Sequence, residues 1–113
     1  MNYHYVLCDG MCVYGYVATF GDTSTALEIA VGGISYYRLR GGDRAEALGL
    51  FVSAVNYIYR KNMSPTDWGR AEYDYEANAL NVAEIIRQRG YRRADAVCLV
   101  EAAVRDAFSR PEY

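Results

Sequence analysis

The chain has 113 residues, with 12 Lys+Arg against 14 Asp+Glu and one His, and a formal net charge of −2. That length suits one domain with one core rather than two. A hydrophobic fraction of 52% with 23% charged residues excludes a disordered chain. The negative balance argues against a general binder of DNA or of anionic membranes.

No apolar run approaches the roughly 18 residues that a membrane span needs. The opening Met1-Asn2-Tyr3-His4-Tyr5 lacks the positive start and long apolar run of a secretion signal. The expected compartment is therefore the cytoplasm. Cys8, Cys12 and Cys98 are an odd number and read as reduced, small hydrophobes.

Charge divides the chain. Residues 1–37 carry only Asp9, Asp22 and Glu28, together with six of the 12 tyrosines; all 12 basic residues follow. The first part reads as strands and the second as helices.

Asp9-Gly10 between two runs of Tyr, Val and Cys signals a hairpin with a two-residue turn. That turn pairs Cys8 with Met11, Val6 with Val13, Tyr5 with Tyr14 and Tyr3 with Tyr16. Side chains alternate between faces, so Tyr3, Tyr5, Tyr14 and Tyr16 share one face. Residues 21–25 read as a turn. A second hairpin is expected around Gly32-Gly33, because two adjacent glycines weaken a helix. It pairs Val31 with Ile34 and Ile29 with Tyr36.

Asp43 with Glu46 three residues on resembles a capping box. Leu48, Phe51, Val52, Val55, Ile58 and Tyr59 recur at helical spacing, giving a helix over 43–61. Ser64-Pro65 starts a second helix, over 65–89, with Trp68, Ala71, Tyr75, Ala79, Val82 and Ile86 as its stripe. Gly90 ends it. A third helix spans 93–109, with Val97, Val100, Val104, Ala107 and Phe108 inward. The expected fold class is α+β: an antiparallel sheet of about four strands over 1–40, then three helices packed mainly on one face.

No motif carries catalysis or a cofactor. His4, Cys8 and Cys12 are four apart, but a strand turns Cys12 away from the other two, and a zinc site needs four ligands. His4 is the only histidine, so any Ser–His–Asp or Cys–His arrangement would have to use it, and no nucleophile signature accompanies it. Gly32-Gly33 and Gly41-Gly42 match no phosphate loop. The expectation is no enzyme, no metal and no cofactor.

Three surface features remain. The Tyr3/Tyr5/Tyr14/Tyr16 face is nearly uncharged, and such patches mark interfaces. Tyr36, Tyr37, Tyr57 and Tyr59 extend the theme. Glu72, Tyr73, Asp74 and Glu76 form an acidic-aromatic patch, whose structural reading is a solvated helix face. Arg87, Arg89, Tyr91, Arg92 and Arg93 form the one cationic cluster. Cations at a helix C-terminus are favoured by its dipole, which explains part of it; phosphate contacts with Tyr91 stacking are the functional reading.

The leading expectation is a non-enzymatic protein that binds a host protein or nucleoprotein complex and occludes its surface. Small size, mild acidity and tyrosine richness are shared by phage and mobile-element inhibitors of the anti-CRISPR and anti-restriction kinds. The tyrosine face and the Glu72–Glu76 patch would dock, on the target or on a second copy in a homodimer. The alternative is a nucleic-acid-associated regulator using the arginine cluster. An enzyme using His4 has the least support.

Overall fold

A computed structural model of the chain describes residues 4–8, 11–15, 25–61 and 74–111, with the backbone alone in the two strands and at residue 61. The elements are β1 (His4–Cys8), β2 (Met11–Gly15), α1 (Ala26–Leu39), α2 (Arg44–Lys61), α3 (Asp74–Gln88) and α4 (Arg93–Ser109). Helices make the fold. Each of α1 and α2 packs mainly on both α3 and α4, which places the four around a shared core in the cyclic order α1, α4, α2, α3.

This overturns the α+β assignment. Among the described residues no four-stranded sheet forms, and the helices pack on one another rather than on one face of a sheet. The segment expected as a second hairpin is helix α1. Strand pairing among the described residues is confined to β1 and β2, antiparallel, with Tyr5 opposite Tyr14, Val6 opposite Val13 and Cys8 opposite Met11. That is the register of a two-residue turn at Asp9-Gly10; the Tyr3–Tyr16 pair and the turn itself lie outside the described residues.

Why α1 is a helix follows from its ends and its neighbours. The Thr25 hydroxyl accepts from the Glu28 N–H at 3.1 Å, while the Glu28 carboxylate accepts from the Thr25 N–H at 2.8 Å. This reciprocal box satisfies two of the backbone donors that a helix start leaves unpaired. At the other end Gly41, at φ 94°, takes the left-handed conformation that stops a helix. The Gly41 N–H donates to the Arg38 carbonyl at 3.0 Å and the Gly42 N–H to the Tyr37 carbonyl at 3.2 Å.

Gly33 shows what the paired glycines do. A Cβ there would stand 2.8 Å from Val82 Cγ2, 3.1 Å from Asn78 Nδ2 and 3.4 Å from Phe51 Cε2. Glycine weakens a helix by about 1 kcal/mol relative to alanine. Here its bare backbone admits α3, and the close packing offsets that weakness. Every residue from Ile29 to Tyr36 is buried. A helix apolar on all sides belongs inside a fold.

The other helices lie in the segments read as helical. Asp43 and Glu46 form the reciprocal box at the start of α2, at 2.7 and 3.1 Å. The α2 stripe in the core is Ala47, Phe51, Ala54, Val55 and Ile58. Leu48, Val52 and Tyr59 pack at its edge. From α3 the core takes Ala79, Val82, Ala83 and Ile86, and from α4 Ala96, Val100, Ala103, Val104 and Ala107. Trp68 and Ala71 lie outside the described residues. Arg38 ties α1 to the end of α4, donating to the carbonyls of Ala107 at 3.0 Å and Arg110 at 2.8 Å. Its guanidinium lies 5.3 Å from the centre of the Phe108 ring. Among the described residues no helix is long and apolar enough to cross a membrane.

Candidate partner-binding groove on helix α2

The three surface features of the sequence have different fates. In the tyrosine set, Tyr5 and Tyr14 occupy paired strand positions. Tyr3 and Tyr16 lie outside the described residues, as do Glu72 and Tyr73 of the acidic patch.

Asp74, half-buried, is engaged by the end of α1. It accepts from the Tyr36 hydroxyl at 2.8 Å and pairs with Arg40 at 3.1 Å. The Arg40 guanidinium in turn stands 5.8 Å from the centre of the Tyr36 ring. Tyr75 packs against Tyr37 with ring centres 5.1 Å apart. These contacts fasten the end of α1 to the start of α3. Of the acidic patch, Glu76 remains beside an opening.

The arginine cluster also divides. Arg87 holds the buried Glu84 through Nε at 3.2 Å and Nη2 at 2.6 Å. A buried carboxylate needs such a partner, so Arg87 is structural. Arg89 and Arg92 are exposed on the turn between α3 and α4. The exposed Tyr91 accepts at its carbonyl a hydrogen bond from the Tyr59 hydroxyl at 2.5 Å. Arg93 donates from Nη1 to Asn56 Oδ1 at 2.9 Å. It thus turns away from a phosphate track along its own turn and toward α2.

There it meets a feature the sequence reading missed. The outer side of α2 carries the exposed Ser53, Asn56 and Arg60, and beside them the half-buried Tyr57, which also packs against the core. With Tyr59 and Arg93 these residues line an open groove of about 710 Å³. A smaller pocket of about 190 Å³ adjoins it, lined by Leu50, Ala54 and Leu80, with Glu76 at its border. Ser53 and Tyr57 line both. One end of the site is therefore apolar, the other cationic, and a tyrosine divides them.

The signal for this site was present in the chain. Polar and aromatic residues at 53, 56, 57 and 60 recur at helical spacing opposite the Phe51/Val55/Ile58 stripe. Tyr57 and Tyr59 extend a tyrosine theme in the sequence, but only the helix places them beside Asn56 and Arg60. Burial raises the Tyr59 phenol above its ordinary 10.0; Arg87 opposes this, and Glu84 and Asp95 add to it.

The site holds no described nucleophile paired with a base. Its chemistry is that of contact: an aromatic ring, two guanidinium groups, an amide and an apolar recess. The chain matches no known protein family, no characterised protein and no solved structure.

Proposed function

We propose that this chain is a non-enzymatic, cytoplasmic protein-binding module. It acts by covering a surface of a partner, as small acidic inhibitors of host enzymes do. The observation that supports the reading is the two-part groove on α2. Interfaces draw their affinity from a few aromatic and arginine anchors beside apolar pockets. Tyr57 beside the Leu50–Leu80 pocket, with Arg60 and Arg93 in the adjoining groove, is such a set. Tyr5 and Tyr14 enter the same proposal as a second contact.

A tagged pull-down from a bacterial lysate, with and without nuclease, tests this. One protein retained after nuclease is the expected result. Tyr57→Ala should reduce its capture at least about fivefold in a variant that still unfolds cooperatively, because truncating an interface anchor costs more than about 1 kcal/mol of binding. Equal capture by a folded Tyr57→Ala variant would remove the groove from the proposal. Capture that disappears with nuclease would shift the function to the nucleic-acid reading.

A further inference from the structure

The groove also says what kind of partner fits. Resting on the protein-binding reading, we infer that the occupant is an acidic protein segment. It sets one large apolar side chain into the Leu50–Leu80 pocket and a carboxylate between Arg60 and Arg93.

The apolar end fixes the first half. Leu50, Ala54 and Leu80 surround a recess of about 190 Å³, room for one branched or aromatic side chain. The cationic end fixes the second. Arg60 and Arg93 line it, and none of its described lining residues is a carboxylate. A guanidinium has five N–H donors. Arg93 commits one of them to Asn56 Oδ1. That bond holds the side chain over the groove, so less rotamer freedom is lost when an anion arrives. Arginine and carboxylate match as planar, two-pronged partners.

The spacing follows from the shared wall. Because Ser53 and Tyr57 line both recesses, the two groups of the ligand must be neighbours, about one helical turn apart.

A nucleic acid fits less well. Single strands follow a continuous positive groove with stacking platforms. Here the positive stretch is two arginines long and runs into an apolar recess with no basic residue among its described lining residues. Arg87, at the head of the cationic run, is neutralised by Glu84.

The test pans a phage-displayed random peptide library on the full chain, beside a fluorescein-labelled single-stranded oligonucleotide of mixed sequence. The expected peptides carry Leu, Met or Phe with Asp or Glu three or four residues away. The double variant Arg60→Glu with Arg93→Glu should keep its thermal midpoint. It should bind those peptides roughly a hundredfold more weakly, about tenfold per reversed charge, and select peptides bearing Lys or Arg instead. Selection of basic or uncharged peptides by the parent chain would overturn the inference and leave the protein-binding reading standing. So would a selection that the double reversal does not change. Oligonucleotide binding tighter than any selected peptide, and lost in the double variant, would overturn it in favour of nucleic acid. No enrichment above an uncoated surface would overturn both the inference and the reading it rests on.

Discussion

Helices α1 and α2 stand at opposite corners of the same bundle and use their sides differently. In α1 every residue from Ile29 to Tyr36 is buried, and its polar ends turn inward. Tyr36 reaches Asp74, and Arg38 reaches Ala107 and Arg110. In α2 one stripe is buried, and the opposite side carries Ser53, Asn56, Tyr57 and Arg60 around an open groove. The difference separates structure from recognition. The enclosed middle of α1 has no surface to offer a partner, its exposed Leu27 and Leu39 lying at the two ends; the outer side of α2 borders a groove along its length.

The largest effect that tests this contrast is a truncation on each helix. Ile34→Ala in α1 removes a side chain with 0% exposure and should destabilise the protein by about 2–5 kcal/mol. Asn56→Ala in α2 should change stability by no more than about 0.5 kcal/mol, as surface substitutions do. Urea denaturation reads both. A large loss from Asn56→Ala would mean that the outer side of α2 supports the fold and is not a free surface.

Next in size is a contrast inside the arginine set. Arg87→Met leaves the Glu84 carboxylate buried without its partner and should cost about 2–4 kcal/mol. Adding Glu84→Leu should recover much of that loss, because an apolar pair can replace a buried ion pair. Arg60→Met, on the groove, should cost almost nothing in stability and act on partner binding alone. Similar costs for Arg87→Met and Arg60→Met would erase the distinction between structural and binding arginines.

Two glycines give the contrast opposite signs. Gly33→Ala gains about 1 kcal/mol of helix propensity but drives a Cβ into Val82 at 2.8 Å. Overpacking of this kind costs typically 1–3 kcal/mol, so the net expectation is a loss of about 1 kcal/mol. Gly49→Ala in α2 meets nothing within 4 Å. It should stabilise by about 0.5–1 kcal/mol. If both stabilise, α1 and α3 are not in the close contact on which the account of the paired glycines depends.

The same two helices mark where the sequence was readable. α2 was legible because its apolar residues have one period and Asp43/Glu46 mark its start. α1 was misread because it is apolar on all sides, which leaves Leu27, Ile29, Val31, Ile34 and Tyr36 compatible with alternation as well. Gly32-Gly33 then tipped the choice to a hairpin. Glycine's helix penalty is local, and the packing that offsets it at Gly33 comes from Val82, Asn78 and Phe51, far along the chain. One local signal did favour the helix: Thr25 with Glu28 three residues on is a capping box, and it was read as part of a turn. The site followed the same rule. Arg93 and Asn56 are 37 residues apart, and their hydrogen bond cannot be seen in spacing. Nor can the engagement of Asp74 by Tyr36 and Arg40, which gives an expected docking residue partners within its own chain.

The smallest expected effect compares a tyrosine on each helix. Tyr37 of α1 and Tyr59 of α2 both have their phenols raised above 10.0, in each case first by burial. At Tyr37 the charges of Glu46 and Asp43 and the neighbouring Tyr75 add to it. A raised folded-state pKa favours the protonated phenol in the folded chain. The unfolded chain ionises first as pH rises past about 10, so the stabilisation is complete below that pH and is lost above it. Either Tyr→Phe substitution should shrink the alkaline fall in stability, and the double substitution should shrink it most. At neutral pH the two should part. Tyr59→Phe loses the hydrogen bond to the Tyr91 carbonyl that holds the α3–α4 turn against α2, at a cost of about 1 kcal/mol. It should also loosen Arg93, two residues beyond Tyr91, and so weaken binding of an acidic peptide. Tyr37→Phe keeps its ring against Tyr75 and leaves peptide binding unchanged. Denaturation series at neutral and alkaline pH, run beside peptide binding, would show whether the α2 side couples stability to recognition where the α1 side does not.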